Sequence, residues 1–582
     1  MSDPAPLECP HGEKCGGCAL LGVPYREQLA LKGASVRRAF ERFPQHAALR
    51  LEPVGAATPS AGYRVRAKLV SDESGALGLF SRDSHTVVDI PQCRVLAPEL
   101  TRVADAARAC LRGAGVRVDG VDLRVVDRGV LVTLIAPRGT PQPALQRAAH
   151  ALSSASAEVA GVAASFRDAG SATVLGSGHV VLLGTDVEPH HLRAQGPYHL
   201  AAHGAFIQAH LGQAERAHLA IERALRELSA HKVLELYAGS AALSLGLAAA
   251  GFELTAVEAF APALAQAERA AKEQQLTLRT VSGQAERVTR ELSARGERFD
   301  AVIVNPPRRG LSVEVRRGVA QLAPGALLYM SCDPATLARD LAHLRELGFG
   351  SHELWPFDMI PHSDAVECLV VAKRGAVPAL RILHEDAQLI AIDKSGYDAR
   401  ALARVRELPG ASEAVPLYPV ADDCSGVTLF ARNDGALPQL RAALGEGGLR
   451  LEALARGVTH KKGRIRRPLK GTQRGAPPCT SYQRTAVNAG HSLLTVQPDR
   501  ADIAQIRRHF AGIGHPILGD WHFGDAASNT FFEHRHGLDR SFLHCVEARL
   551  ALPSGMLSLE AALPGELRSV LENLSEQPAP RR

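Results

Sequence analysis

Between residues 196 and 375 short apolar runs alternate with amphipathic stretches. The runs "KVLELYAG", "ELTAVEAF", "FDAVIVNPP", "GALLYMSC" and "ECLVVAKR" have the length of buried strands, and each stops at Gly, Pro or a polar cluster. Between them, "QAERAHLAIERALREL" and "AALSLGLAAAG" carry helical spacing. Apolar strands alternating with helices predict an α/β, Rossmann-like, doubly wound sheet over 196–375. Residues 1–95 hold the amphipathic "YREQLALKGASVRRAFERF" and the strand-like "YRVRAKLV". Residues 96–195 mix helical Ala/Leu/Arg patterns with β-rich pieces such as "VDLRVVDRGVLVTLIA", a small α/β region. The stretch "RGAVPALR" breaks the pattern, and a new β-rich α+β region opens with "RILHEDAQLIAIDKSG" and spans 380–570. The Pro- and charge-rich end, 571–582, reads as a disordered tail.

The chain has 582 residues, too many for one hydrophobic core. Its 46% hydrophobic and 22% charged content is that of an ordinary globular protein. A net charge of +6 admits a polyanionic partner. Aromatics are only 4%, which argues against many base-stacking platforms. No apolar run reaches the roughly 20 residues a membrane helix needs. The first residues lack a basic segment followed by an apolar one, so a cytoplasmic location is expected.

Ligands of such sheets sit at the carboxyl ends of the strands. Gly239 is the tight turn after the first strand, and Glu258 ends the next, positioned to take the hydroxyls of a ribose. The full G-x-G-x-x-G of a pyrophosphate loop is absent, which favours adenosylmethionine over a dinucleotide. Asn305-Pro306-Pro307 ends the fourth strand with a rigid, non-helical backbone. Cys332 ends the fifth at the same edge, and Glu367 precedes the last strand. Taken singly, Gly239 only turns the chain, Asn305 only ends a strand and Cys332 is a small core residue. Taken together they surround one cleft. A thiolate there can split a difficult substitution into easier covalent steps. Separately, Cys9, Cys15 and Cys18 form C-x5-C-x2-C, with Cys93 further on. Four thiolates suit zinc or an iron–sulfur cluster, and the spacing alone does not choose.

The set "GAFIQAH", "ELYAGSAALSL", "VEAF", "NPPRRG", "LLYMSCDPATLARDL" and "DMIPHSDAVE" resembles the RNA uracil-5-methyltransferases that modify transfer or ribosomal RNA. The resemblance covers residues 1 to about 375. It implies S-adenosylmethionine bound by Gln208, Tyr237, Gly239, Glu258 and Asn305, Cys332 as the nucleophile and Glu367 as the proton-abstracting base. The chain departs from the family's pattern at Glu235, Ala238, His210, Asn305 and Ala365. Asn305 stands where the family carries Asp, which removes a negative charge near the sulfonium. The cysteine pattern resembles the [4Fe–4S] site of part of the family, with zinc as the alternative. RNA is the implied partner, ribosomal RNA ahead of transfer RNA.

The C-terminal phrases "YPVADDCSGVTLFARN", "QIRRHFAGIGHPILGDWHFGD" and "RSFLHCVEARL" resemble the RNA pseudouridine synthases. That family's nucleophilic Asp falls on Ala421 and its stacking Tyr on Leu451, while Arg507 is kept. The resemblance implies a fold retained without its chemistry, with Asp422 and Asp423 as neighbours of the lost carboxylate. Lys461, Lys462, Arg464, Arg466, Arg467 and Lys470 form a basic segment suited to phosphates. Two functions compete on these residues: a methyltransferase acting at uracil C5, and an RNA-binding or ribosome-assembly factor with both halves degenerate.

Overall fold

The computed structural model describes residues 6–82, 84–168, 179–322, 324–468 and 477–575. Lys470 of the basic segment lies outside them.

An eight-stranded sheet forms the centre. Its order is Arg50–Leu51, Phe349–Phe357, Glu367–Arg374, Ala326–Ser331, Ala301–Val304, Lys232–Leu236, Glu253–Glu258 and Leu278–Ser282. Glu367–Arg374 alone runs against the others. The inner strands Ala301–Val304 and Ala326–Ser331 are buried at every position, which is why they read as unbroken apolar runs. Alternate side chains feed two cores. Leu234, Val302, Val304, Leu327 and Tyr329 pack with helices Ala285–Ala294, Val313–Gln321 and Pro334–Glu346. Val233, Ala301, Ile303 and Leu328 pack with helices Leu211–Glu227 and Ala242–Ala249. The N-terminal helix Tyr25–Glu41 joins the first core through Val36 and Phe40. Its Lys32 makes a fully buried ion pair with Asp358 at 2.5 Å.

A seven-stranded sheet runs Val87–Asp89, Leu77–Phe80, Arg66–Ser71, Gly120–Val126, Gly129–Pro137, Val159–Arg167, Val180–Gly184. It crosses residue 95, so the border read there from the sequence falls inside one sheet. Strand Arg66–Ser71 pairs directly with Gly120–Val126, a long-range pairing that local pattern cannot reveal. The hairpin of Val187–His191 and Tyr198–Ala202 leads on to the central sheet.

The C-terminal region is built on a ten-stranded sheet. Its main path runs from Ile382–Glu385 through Ser425–Ala431 and Leu543–Leu552 to the edge strand Lys462–Arg466. A final helix, Gly565–Ser575, extends into the stretch read as a tail. Leu567, Val570 and Leu574 lie buried on one of its faces and hold it in place. Among the described residues no helix is long and apolar enough to cross a membrane.

Candidate active site

The carboxyl ends of the central strands open into a cavity of about 820 Å³, large enough for a nucleoside-sized cofactor together with a base. Gln208, Tyr237, Gly239, Glu258, Asn305, Cys332 and Glu367 all line it. The cysteines at 9, 15, 18 and 93 do not, and form a separate group.

The turn after Lys232–Leu236 is bent through left-handed conformations at Tyr237 (φ 63°), Gly239 (φ 57°) and Ala241 (φ 55°). Tyr237 and Ala241 adopt a region that L-residues avoid, so local strain is stored at this turn. The Glu258 carboxylate pins the turn. It accepts from the Gly239 amide at 3.0 Å and from the Phe260 amide at 2.8 Å. Behind the turn, burial pushes the Glu235 carboxyl up to about 7, while its bond from the Ser244 hydroxyl works the other way.

Cys332 and Glu367 are brought together by strand register. Ala326–Ser331 pairs antiparallel with Glu367–Arg374, and Ser331 stands opposite Cys368. The next residue on one strand and the previous one on the other therefore face the cavity side by side. Asp333 caps the following helix, accepting from the Ala335 and Thr336 amides at 3.0 and 2.9 Å. This cap and Pro334 end the strand just after Cys332. Burial pushes the Cys332 thiol up, the Glu367 and Asp333 charges add to that, and the Arg308 guanidinium beside the sulfur opposes them. Burial drives the Glu367 carboxyl up to about 8, again against Arg308.

Three of the departures from the family pattern differ in consequence. His210 is absent from the cavity lining. It caps helix Leu211–Glu227 by accepting from the Gln213 amide at 3.3 Å, and it stacks on Tyr63 with ring centroids 5.0 Å apart. Asn305 and Ala365 both line the cavity, so those changes touch the chemistry directly.

Sequence reasoning missed the other end of the same cavity, lined by Arg64, Arg66, Lys68, Phe206 and Arg308. Arg66 lies 5.5 Å over the Phe206 ring, and that ring is 61% exposed. The signal was present: three cations at alternate positions of a strand share one face.

The cysteine group lies where the N-terminal segment crosses strand Leu77–Phe80. Cys15 bridges to Ser81, and the Gly17 amide donates to Cys15 Sγ at 3.4 Å. Burial pushes the Cys18 thiol up to about 12, with further rises from Cys93, Cys15 and Cys9 in turn. Burial also pushes the Cys15 thiol up, and Cys93 and Cys9 add to it. The four thiols therefore lie close enough to feel one another's charge. A side chain at Gly17 would stand 2.7 Å from Leu79, and one at Gly16 would stand 2.9 Å from the Phe80 carbonyl. The contact at Gly16 is with backbone and demands glycine, whereas the one at Gly17 is with the end of the Leu79 side chain. The four sulfurs share one region but do not converge on one point as the ligands of a closed zinc site would; among the described residues only Asp423, Asp520 and His522 draw their ligand atoms that close.

The C-terminal domain is closed at the corresponding place. Tyr418, Ala421, Cys424, Leu451 and Lys394 surround only about 20 Å³, room for a water and not for a base. Asp423 is held in a two-pronged pair with Arg507, both contacts at 3.0 Å, and Arg507 also bonds the buried Asp520. On the edge strand, Lys462, Arg464 and Arg466 are exposed and alternate with the buried Ile465, so the three cations share one open face.

The sequence profile of the tRNA (uracil-5-)-methyltransferase family matches residues 197–375, the segment that builds this cavity. An RNA methyltransferase of Nitratidesulfovibrio vulgaris is 30% identical over 393 residues, covering 63% of this chain and 83% of that one. The chain belongs to the RNA methyltransferases, and its residues 197–375 match the uracil-5 family. It is an S-adenosylmethionine-dependent RNA methyltransferase. A Gloeobacter violaceus RNA methyltransferase is 28% identical over 383 residues, 63% of this chain and 82% of that one. The tRNA (uracil-54, C5)-methyltransferase of Pyrococcus abyssi, solved with S-adenosyl-L-homocysteine, shares the fold of this methyltransferase. Its TM-score is 0.51 at 22% identity, covering 64% of this chain and 86% of that one.

Proposed function

We propose that this methyltransferase forms 5-methyluridine in structured RNA, ribosomal RNA ahead of transfer RNA, through a covalent adduct between Cys332 and uracil C6. The observation that carries this reading is the pairing of Cys332 with Glu367 in the cavity that Gly239, Glu258 and Asn305 also line. The Cys332 thiolate attacks C6, and the C5=C6 electrons move to make an enolate. C5 then takes the methyl carbon of adenosylmethionine as the carbon–sulfur bond breaks and leaves S-adenosylhomocysteine. The Glu367 carboxylate removes the C5 proton, the double bond re-forms and the Cys332 thiolate is expelled. Arg308 stabilises the thiolate at both ends of this cycle. Glu258 and the turn amide it fixes orient the ribose, with Gln208, Tyr237 and Asn305 along the rest of the cofactor. Arg64, Arg66 and Lys68 draw in the phosphates that flank the target base.

Cys9, Cys15, Cys18 and Cys93 would hold a [4Fe–4S] cluster, with zinc as the alternative. These residues would thereby tie the N-terminal segment to the neighbouring sheet. We read the C-terminal domain as a pseudouridine-synthase-like fold without that activity, because the place of the lost carboxylate is closed and Asp423 is committed to Arg507. Its exposed cations Lys462, Arg464 and Arg466 suit an RNA backbone.

The test is methyl transfer from labelled adenosylmethionine to undermethylated total RNA. Label is expected in 5-methyluridine and is expected to vanish with Cys332→Ala. Asn305 favours the second reading, an RNA-binding or ribosome-assembly factor with a degenerate site. Under that reading the wild type transfers no label while Asn305→Asp does.

A further inference from the structure

The loop that carries Arg308 into the cavity is held from two domains. The Arg308 carbonyl accepts from Thr336 Oγ1 at 3.0 Å, and the Arg309 carbonyl accepts from Arg339 Nη2 at 2.8 Å. Both donors lie on helix Pro334–Glu346, whose first turn follows Cys332 directly. Gly310 (φ 76°) packs on the same helix. A side chain there would stand 2.5 Å from Asp340 Oδ2 and 2.9 Å from Arg339 Nη2. Asp340 takes the Leu311 amide at 2.7 Å and the Tyr329 hydroxyl at 2.6 Å.

Arg339 then continues into the C-terminal domain. Its Nη1 donates to the Gly537 carbonyl at 2.9 Å, and its Nε lies 3.6 Å from Asp539. Asp539 also pairs with Arg316 and accepts from the Tyr397 hydroxyl at 2.7 Å. Arg316, Arg339, Asp340 and Asp539 are each at most 5% exposed and balance in charge. Nearer the surface, Arg309 Nη1 lies 3.0 Å from His534 Nε2 on helix Ala526–His536. Contacts that only joined two domains would have no need to run through the carbonyls of the loop beside the thiol.

We propose that the Gly537–Asp539 turn of the C-terminal domain is a positioning element of the methyltransferase site, fixing the 308–310 backbone through Arg339 and so holding the Arg308 guanidinium against Cys332. This rests on the reading of Cys332 as the nucleophile. The charged groups around that sulfur are Glu367, Asp333 and Arg308. Only Arg308 favours the thiolate, so slackening its loop raises the pH at which the thiol ionises. The geometry of attack loosens at the same time, and a displacement on the order of 1 Å is costly to rate.

The experiment uses the full chain and three variants: Asp539→Asn, Arg339→Lys and His534→Ala. Arg339→Lys keeps the positive charge among the aspartates and cannot bridge two carbonyls with one planar fork. His534→Ala removes no buried charge and tests the loop contact even where Asp539→Asn fails to fold. Two quantities are read: the pH midpoint of Cys332 alkylation by iodoacetamide, located by mass spectrometry, and kcat against the KM for RNA. Arg339→Lys and folded Asp539→Asn are expected to move the midpoint upward by about one unit. They are expected to lower kcat about tenfold with KM nearly unchanged, and His534→Ala to act in the same direction more weakly. Wild-type midpoint and kcat in Arg339→Lys and His534→Ala overturn the proposal. Alkylation does not depend on turnover, so a wild type that transfers no methyl group defeats the reading of the reaction and leaves the coupling measurable.

Discussion

Cys332 and Glu367 stand next to each other because Ser331 pairs with Cys368 across two antiparallel strands. The reversal of Glu367–Arg374 within an otherwise parallel sheet is what makes this possible. In an all-parallel arrangement the amino end of the last strand, and Glu367 with it, would lie at the opposite edge of the sheet from Cys332.

That placement makes activity and stability respond oppositely to pH. Glu367 is a base only when ionised, and burial holds its carboxyl at about 8. Turnover is expected to climb through pH 8 and to continue above it, because the Cys332 thiol is also pushed up. A pH–rate profile of kcat/KM checks this.

Glu367 also carries a folding cost. Its folded value, about 8, is above the ordinary 4.5, so the folded chain binds its proton more tightly than the unfolded one. The associated stability is full below pH 4.5 and is lost as pH rises to about 8. Glu367→Gln removes the ionisation and is expected to be inactive yet more stable at pH 9 by on the order of 2–4 kcal/mol. The two forms are expected to match at pH 4, below the ordinary value of 4.5. Urea unfolding at both pH values measures it.

The basic end of the cavity predicts a salt signature. Arg66→Ala and Lys68→Ala are expected to weaken RNA binding by lowering the slope of log K against log salt by about one each. Adenosylmethionine binding is expected to stay as in the wild type. Filter binding across a salt series reads the slope.

Glu258→Gln keeps size and loses charge at the carboxylate that accepts from the Gly239 and Phe260 amides. A loss on the order of 1.5–3 kcal/mol in charged hydrogen bonding translates into adenosylmethionine binding weakened about tenfold or more. Calorimetric titration of the cofactor into the protein checks this without any RNA.

The N-terminal thiols predict visible absorbance in anaerobically purified protein, lost together with iron in Cys15→Ser. Zinc in place of iron, with no absorbance, would assign the alternative metal.

Much of the methyltransferase sheet was legible because its strands are buried on both faces and so read as unbroken apolar runs. Strand ends punctuated by Gly239, Asn305-Pro306 and Cys332-Asp333 marked the ligand edge for the same reason. The seven-stranded sheet was not legible as one unit. Pairing of Arg66–Ser71 with Gly120–Val126 spans a helix and leaves no local trace. Arg64, Arg66 and Lys68 were visible as an alternating pattern, but their place in the cavity depends on that pairing. The buried quartet of Arg316, Arg339, Asp340 and Asp539 was hidden too, because charged residues on helices, as the first three are, or in a connecting segment, as Asp539 is, ordinarily read as solvated.

The most direct measurement traps the adduct. Purified protein, tritiated adenosylmethionine and RNA carrying 5-fluorouridine at the target are combined, since fluorine at C5 cannot be removed as a proton. A covalent protein–RNA band containing the label, present in the wild type and absent in Cys332→Ala, is the predicted result. A labelled RNA product without any Cys332-dependent band would contradict the covalent mechanism, and no label at all would contradict the enzyme reading of this site.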